Sequence, residues 1–325
     1  MKLSFEQIKS ITKGAVEVSK NGDAINFFRF TEEQLALYPE SQVPFAPAGV
    51  RLKFVTDSTT LTLKGSVSKA SPTRQFYSFD VTVNGEYIGS VDNYVGDEEE
   101  TYRLKSELSL KDFNKTFDLG YGEKCVEIYL PYAVKVDLAE VGILDGAFIE
   151  PAAAQNKMLM FGDSITQGFD SLRNIHQYTA QLGNALGLEI VNKGIGGEVF
   201  KPQLARCKEP YDPKIVTVAY GTNDWSKSSP EIFERDCREF YKTVSELYPN
   251  AKIFGITPPW NKNFSNNSKA MTFGQIADDI ENLTSNLENV TIIRGDNLIP
   301  HDEKYFGDLF VHPNNEGFDH YFKNL

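Results

Sequence analysis

The stretch Lys157-Met158-Leu159-Met160-Phe161-Gly162-Asp163-Ser164-Ile165-Thr166-Gln167-Gly168 joins a short apolar run to a glycine-led turn and then to residues that suit a helix. An apolar run of this length closed by glycine reads as a buried strand. Four similar runs follow at 188–192, 214–220, 251–256 and 289–294. Helix-length segments separate them. Ser229 and Pro230 are an N-cap and first-turn pair, and Ile232, Phe233, Phe240, Tyr241, Val244 and Leu247 then recur at helical spacing. Phe273, Ile276, Ala277, Ile280, Leu283 and Leu287 repeat that spacing, and Phe318, Tyr321, Phe322 and Leu325 mark a last amphipathic helix. Strands alternating with helices imply right-handed crossovers and a parallel sheet covered on both faces. Such sheets bind ligands at the carboxyl ends of their strands.

Upstream the pattern changes. Leu52 and Phe54, Leu61 and Leu63, Phe79, Val81 and Val83, Val126, Ile128 and Leu130, and Val134, Val136 and Leu138 alternate with period two, as strands that bury one face do. Asn84-Gly85 is a hairpin signal, because both turn positions need positive φ. The expected division is an antiparallel β-sandwich of jelly-roll type over residues 1–150 and an α/β domain over 151–325. The acidic run at 97–100 reads as a solvated loop.

The chain has 325 residues, and its 33 Lys and Arg against 45 Asp and Glu give a net charge of −12. That length accommodates two domains at roughly 150 residues each. An acidic surface repels phosphate backbones and anionic lipid surfaces, so the expected partner is a small neutral molecule, with no nucleic acid and no membrane insertion. Cys125, Cys207 and Cys237 show no CxxC spacing and read as small buried hydrophobes rather than disulfides or zinc ligands. The first residues, MKLSFEQIKSITKG, carry charges throughout, and no apolar run approaches the ~20 residues of a membrane span, so a soluble cytoplasmic protein is expected. A homo-oligomer is compatible with this reading.

The strand exits hold the candidate chemistry. Ser164 stands where a helix begins, among N–H groups that favour an attacking oxygen or a developing oxyanion, although an N-cap serine looks the same. The second strand exit is Asn192-Lys193-Gly194-Ile195-Gly196-Gly197-Glu198 and the third is Tyr220-Gly221-Thr222-Asn223-Asp224. Both supply N–H donors. Of His176, His301, His312 and His320, His312 is preferred as a general base, since it has a nearby carboxylate and opens the last helix. His176 is expected inside the helix that follows Ser164.

These four sites, in this order, resemble the SGNH hydrolases, also called the GDSL esterases and lipases. The resemblance spans about residues 157–325 and implies a three-layer α/β/α fold related to flavodoxin, with no metal and no organic cofactor. By it, Ser164 is the nucleophile, its own N–H, the N–H of Gly197 and the amide of Asn223 form the oxyanion hole, and His312 is the base. One departure concerns the acid. The family places it three residues before the histidine, where this chain has Leu309, with Asp308 one step further. Either a helical turn or bulge brings Asp308 to His312, completing a triad, or a backbone carbonyl holds the ring and leaves a dyad. Asp163 and Asp224 read as structural. A sandwich ahead of such a domain also resembles the layout of carbohydrate esterases that remove acetyl groups from sugars. Trp225, Trp260 and Phe200, which follow strand-exit segments, are candidate substrate-binding aromatics. The expected function is a serine esterase acting on short acyl esters, acetyl above all, borne on carbohydrate. Lipid or thioester hydrolysis, acyl transfer and non-catalytic ligand binding are the alternatives.

Overall fold

The computed structural model describes residues 1–269 and 271–325. Its chain falls into two compact units. One comprises Met1–Thr31, Glu40–Gln155 and Leu172–Ile175, the other Glu32–Pro39, Asn156–Ser171 and His176–Leu325. The main crossing thus lies after residue 155, and two short segments depart from a simple linear division.

The first unit holds two antiparallel sheets. In one, the strands run in the order Glu17–Asn21, Ala24–Phe28, Val134–Ile143, Thr60–Lys69 and Phe113–Asp118; in the other, Thr12–Lys13, Arg51–Thr56, Lys124–Tyr129, Ser78–Val83 and Glu86–Asp92, with Ile149–Pro151 added beside Arg51–Thr56. The period-two residues turn inward, so that Leu52, Phe54, Leu61, Leu63, Val126, Ile128, Val136 and Leu138 share one core. Asn84 at φ 53° and Gly85 at φ 88° turn the chain between Val83 and Glu86, as that dipeptide requires. The acidic run is more ordered than expected. Asp97 caps the helix Glu98–Arg103 by accepting from the N–H of Glu100, because carboxylates suit the positive end of a helix. Within this unit Arg173 donates to Asp92 at 2.6 Å and to Ser90 at 2.8 Å.

The second unit is built on five parallel strands, Lys157–Gly162, Glu189–Asn192, Ile215–Ala219, Lys252–Ile256 and Val290–Ile293. They are arranged second, first, third, fourth, fifth, the flavodoxin-like order whose switch point lies beside the first strand. The helix Pro230–Leu247 is capped by Ser229 as its sequence dictates and buries Phe233, Cys237, Phe240, Tyr241 and Val244, while Ile232 faces solvent. Gln275–Thr284 forms the next long helix, starting after Phe273 and ending before Leu287. The helix carrying Ser164 is a single turn, Ser164–Gln167, ended by a left-handed Gly168, and His176 lies beyond it in the short turn Asn174–His176. The expected longer helix fails there because Gly168 cannot be followed by helical backbone at φ 107°.

Two sets of buried charges underlie the sheet's carboxyl edge. Lys193 and Glu209 are fully buried and paired at 2.8 Å, and Gln34 bridges them, accepting from Lys193 at 2.7 Å and donating to Glu209 at 2.6 Å. This fixes the chain where the second strand leads into Gly194–Gly197. Nearby, burial pushes the Asp163 carboxyl up to about 6 and that of Asp224 up to about 7, and Asp163 repels ionisation of Asp224 further. Replacing Lys193 with Met strands the Glu209 carboxylate in the core, and urea unfolding should register a loss of about 3–5 kcal/mol; a loss below about 1 kcal/mol would show that the pair holds nothing. Asp163 and Asp224 bind protons more tightly folded than unfolded, so they lower stability as pH rises from the unfolded value near 4 through about 6 and about 7. Asp224→Asn should therefore flatten the fall in melting temperature between acid and mildly alkaline buffer. An unchanged slope would contradict the assignment.

Candidate active site

Ser164 opens its single helical turn at the end of the first strand, with Asp163 as N-cap accepting the N–H of Ile165 at 2.9 Å. Its Oγ lies 2.8 Å from Nε2 of His312, and Nδ1 of His312 lies 2.6 Å from Oδ2 of Asp308. The other oxygen of Asp308 accepts the backbone N–H groups of Phe310 at 3.0 Å, Val311 at 2.8 Å and His312 at 3.0 Å. Leu309 makes the closed turn work by adopting φ 57°, which takes up the one-residue excess between acid and histidine. Of the two arrangements the sequence left open, the chain adopts the carboxylate contact. Burial opposes ionisation of Asp308, but the His312 ring and the N–H groups of Val311 and His312 outweigh it and hold the carboxyl well below the usual range. An ionised acceptor at Nδ1 assigns the ring proton to that nitrogen and leaves Nε2 to accept from Ser164. The ring of Phe169 stands 5.5 Å from that of His312 and buttresses it.

The glycine segment is pinned from two sides. Asn192 accepts the N–H of Gly194 at 2.8 Å and donates to the carbonyl of Thr166 at 2.7 Å, and Gln167 accepts the N–H of Gly196 at 2.7 Å. Gly197, at φ 81°, gives its carbonyl to Lys227, while its N–H has no protein acceptor among the described residues. Asn223 donates one amide proton to the carbonyl of Glu198 at 3.1 Å, which orients the amide and leaves a second proton to give. Asn192 and Gln167 were not singled out from sequence. Both lie inside the flagged segments, but their reach across strands is a tertiary fact.

Phe200 must be corrected. It is buried in the core against Tyr220 at 5.3 Å, Tyr241 at 5.8 Å, Phe240 at 5.9 Å and Phe233 at 6.0 Å, so no ligand reaches it. An aromatic after a glycine turn reads alike whether it faces core or pocket. Trp225 and Trp260 are partly exposed. Trp225 donates to the carbonyl of Met271 at 3.2 Å, and Trp260 stacks on His301 at 5.1 Å. The remaining histidines have separate partners, His176 with Asp319 at 2.8 Å and His320 with the ring of Tyr305. Asp170, Asp308 and His312 bring ligand-type atoms within 4.8 Å of one another, yet both ring nitrogens of His312 are committed to hydrogen bonds. No helix among the described residues is long and apolar enough to cross a membrane.

Residues 160–320 match the GDSL-like Lipase/Acylhydrolase family. No curated protein matches the chain. Among solved structures it is similar to a salicylyl-acyltransferase from a tetracycline biosynthetic pathway, with 19% identity, a TM-score of 0.81 and 96% of this chain aligned to 92% of that one. A putative GDSL-like lipase from Bacteroides ovatus aligns at 18% identity and a TM-score of 0.74 over 99% of this chain and 95% of its own. A family two carbohydrate esterase from Cellvibrio japonicus aligns at 16% identity and 0.64 over 100% and 95%. At these identities the structures speak to fold, and they share it across both units. Residues 160–320 thus carry a GDSL-like lipase/acylhydrolase match, and the fold shared with the carbohydrate esterases agrees with an esterase of that type.

Proposed function

We propose that the protein is a serine esterase that removes short acyl groups, acetyl above all, from carbohydrate through an acyl-enzyme. The observation that carries this is the unbroken hydrogen-bonded line from Ser164 through His312 to Asp308, at 2.8 and 2.6 Å. Ser164 attacks the ester carbonyl as His312 takes its proton at Nε2, and the imidazolium that forms is held by ionised Asp308. The oxygen's new charge falls to the N–H groups of Ser164 and Gly197 and the spare amide proton of Asn223, each worth about 3 kcal/mol in the transition state. His312 then protonates the leaving sugar hydroxyl. Water, deprotonated by the same nitrogen, attacks the acyl-enzyme and releases acetate.

The carbohydrate assignment draws on the similarity to family two carbohydrate esterases and to an acetyl xylan esterase from Butyrivibrio proteoclasticus, which aligns at 14% identity with a TM-score of 0.61 over 99% of this chain and 95% of its own. Trp225 and Trp260 are the side chains assigned to the sugar, and their partial exposure suits stacking on a pyranose face. A second reading is acyl transfer, favoured by the salicylyl-acyltransferase. Both reactions share every step up to the acyl-enzyme and differ in whether water or an acceptor alcohol attacks it.

Ser164→Ala should abolish acetate release from acetylated xylo-oligosaccharides and from p-nitrophenyl acetate, a drop of at least about 10³ in kcat. Retained turnover would remove the nucleophile assignment, and acyl transfer to an added sugar exceeding acetate release would favour the second reading. Asp308→Asn keeps the shape of the turn but loses the charge at Nδ1, and kcat should fall by about 10³–10⁴. A drop of less than about fivefold, under 1 kcal/mol, would mean that the site runs as a dyad.

A further inference from the structure

Asp170 lies in the loop that follows the Ser164 turn, and two features set it apart. Its side chain is completely buried, and its backbone is left-handed at φ 65°, a conformation that costs a non-glycine residue energy and persists where the surroundings demand it. The loop is compact: Gly168 at φ 107° and Asp170 at φ 65° flank Phe169, whose ring faces His312. Asp170 thereby brings a carboxylate oxygen within 4.8 Å of both a ring nitrogen of His312 and an oxygen of Asp308.

We propose that Asp170 is a positioning residue, a second carboxylate that acts through the Asp308–His312 pair by stabilising the imidazolium formed when Ser164 is deprotonated. This rests on the assignment of Ser164 and His312 as nucleophile and base. Once His312 accepts the serine proton, a single positive charge faces both carboxylates, so the interaction is stronger in the transition state than before it. The loop is held by the same two left-handed residues that set Phe169 against the ring, so charge and orientation arrive together. Other groups facing His312 include Ser164, Phe169 and Asp163, whose carboxyl interacts with the ring and with Lys227. Phe169 and Asp163 are common to every variant below.

The test is the pH dependence of kcat/KM for p-nitrophenyl acetate in Asp170→Asn, whose side chain matches in shape and lacks the charge. The acid limb should move to lower pH by about one unit, since an opposite charge within about 4–6 Å alters proton affinity by that much or more, and kcat should fall about tenfold. A role confined to holding the loop would lower kcat with the limb unmoved, and that result would overturn the proposal. A second variant, Asp308→Asn, gives an answer even if Asp170→Asn does not fold. There Asp170 remains as a carboxylate within 4.8 Å of a ring nitrogen, and the acid limb should stay at or above the ordinary histidine value of about 6.5. A limb well below it, the direction that burial alone gives, would overturn the idea. Ser164→Ala separates the two levels: activity surviving in it sinks the esterase mechanism, whereas its loss together with an unmoved limb in Asp170→Asn sinks only the role of Asp170.

Discussion

Asp308 accepts N–H groups from Phe310, Val311 and His312 on one oxygen and meets the imidazole with the other. That closed turn constrains the rest of the edge, because Asp308, His312 and the start of the last helix are bound into one short segment. The helix Asn315–Asn324 begins directly after it, capped by Asn314. Its buried residues Phe318 and Tyr321 pack on Tyr178, while Thr166, two residues beyond Ser164, hydrogen-bonds the Tyr178 hydroxyl at 2.8 Å. The segment with His312 and the segment with Ser164 are thus referenced to one buried tyrosine. Their 2.8 Å separation follows from packing.

The parallel sheet supplies the second part of the arrangement. Its strands end on one edge, and three of those ends carry Ser164, the glycine segment and Asn223. What differs among them is how each loop is kept from moving. The glycine segment relies on Asn192, Gln167 and, beneath it, the Lys193–Glu209–Gln34 cluster, all of them polar groups paired inside the protein. Under the proposed mechanism a donor at Gly197 contributes most when it needs no reorganisation, and buried pairing of this kind provides that rigidity.

Much of this was legible in the sequence where the signal is local. Asn84-Gly85 and Ser229-Pro230 each carry their own mechanism and did what the mechanism requires. The five parallel strands are readable from short apolar runs, three motif sites from their place at the strand exits and the fourth from the final loop. Distance along the chain marks where legibility ends. Gln34 reaches Lys193 across 159 positions, and no pattern near either residue announces it. Phe200 follows a glycine turn as a pocket residue would, yet four aromatic rings close over it. His176 lies beyond the helix that follows Ser164, because the left-handed Gly168 ends that helix after one turn.

The extra residue between Asp308 and His312 is the clearest case of competing terms. Holding Leu309 in the left-handed region costs about 1–2 kcal/mol. Against this stand three backbone hydrogen bonds to a charged carboxylate, each worth about 1.5–3 kcal/mol net, and the contact to Nδ1. The bonds win by a margin that no strain of this size removes, so the segment closes into a turn although its sequence has one residue more than the simpler spacing. Leu309 bears the strain without harm because its side chain is 57% exposed and has little packing to lose. Among the described residues the non-glycine left-handed positions are Asn84, Asp170, Lys269 and Leu309. Asn84 belongs to a hairpin that calls for it, whereas Asp170 and Leu309 lie in two loops that both reach His312. Two of the three such positions described in the second unit therefore lie where the orientation of one imidazole is decided.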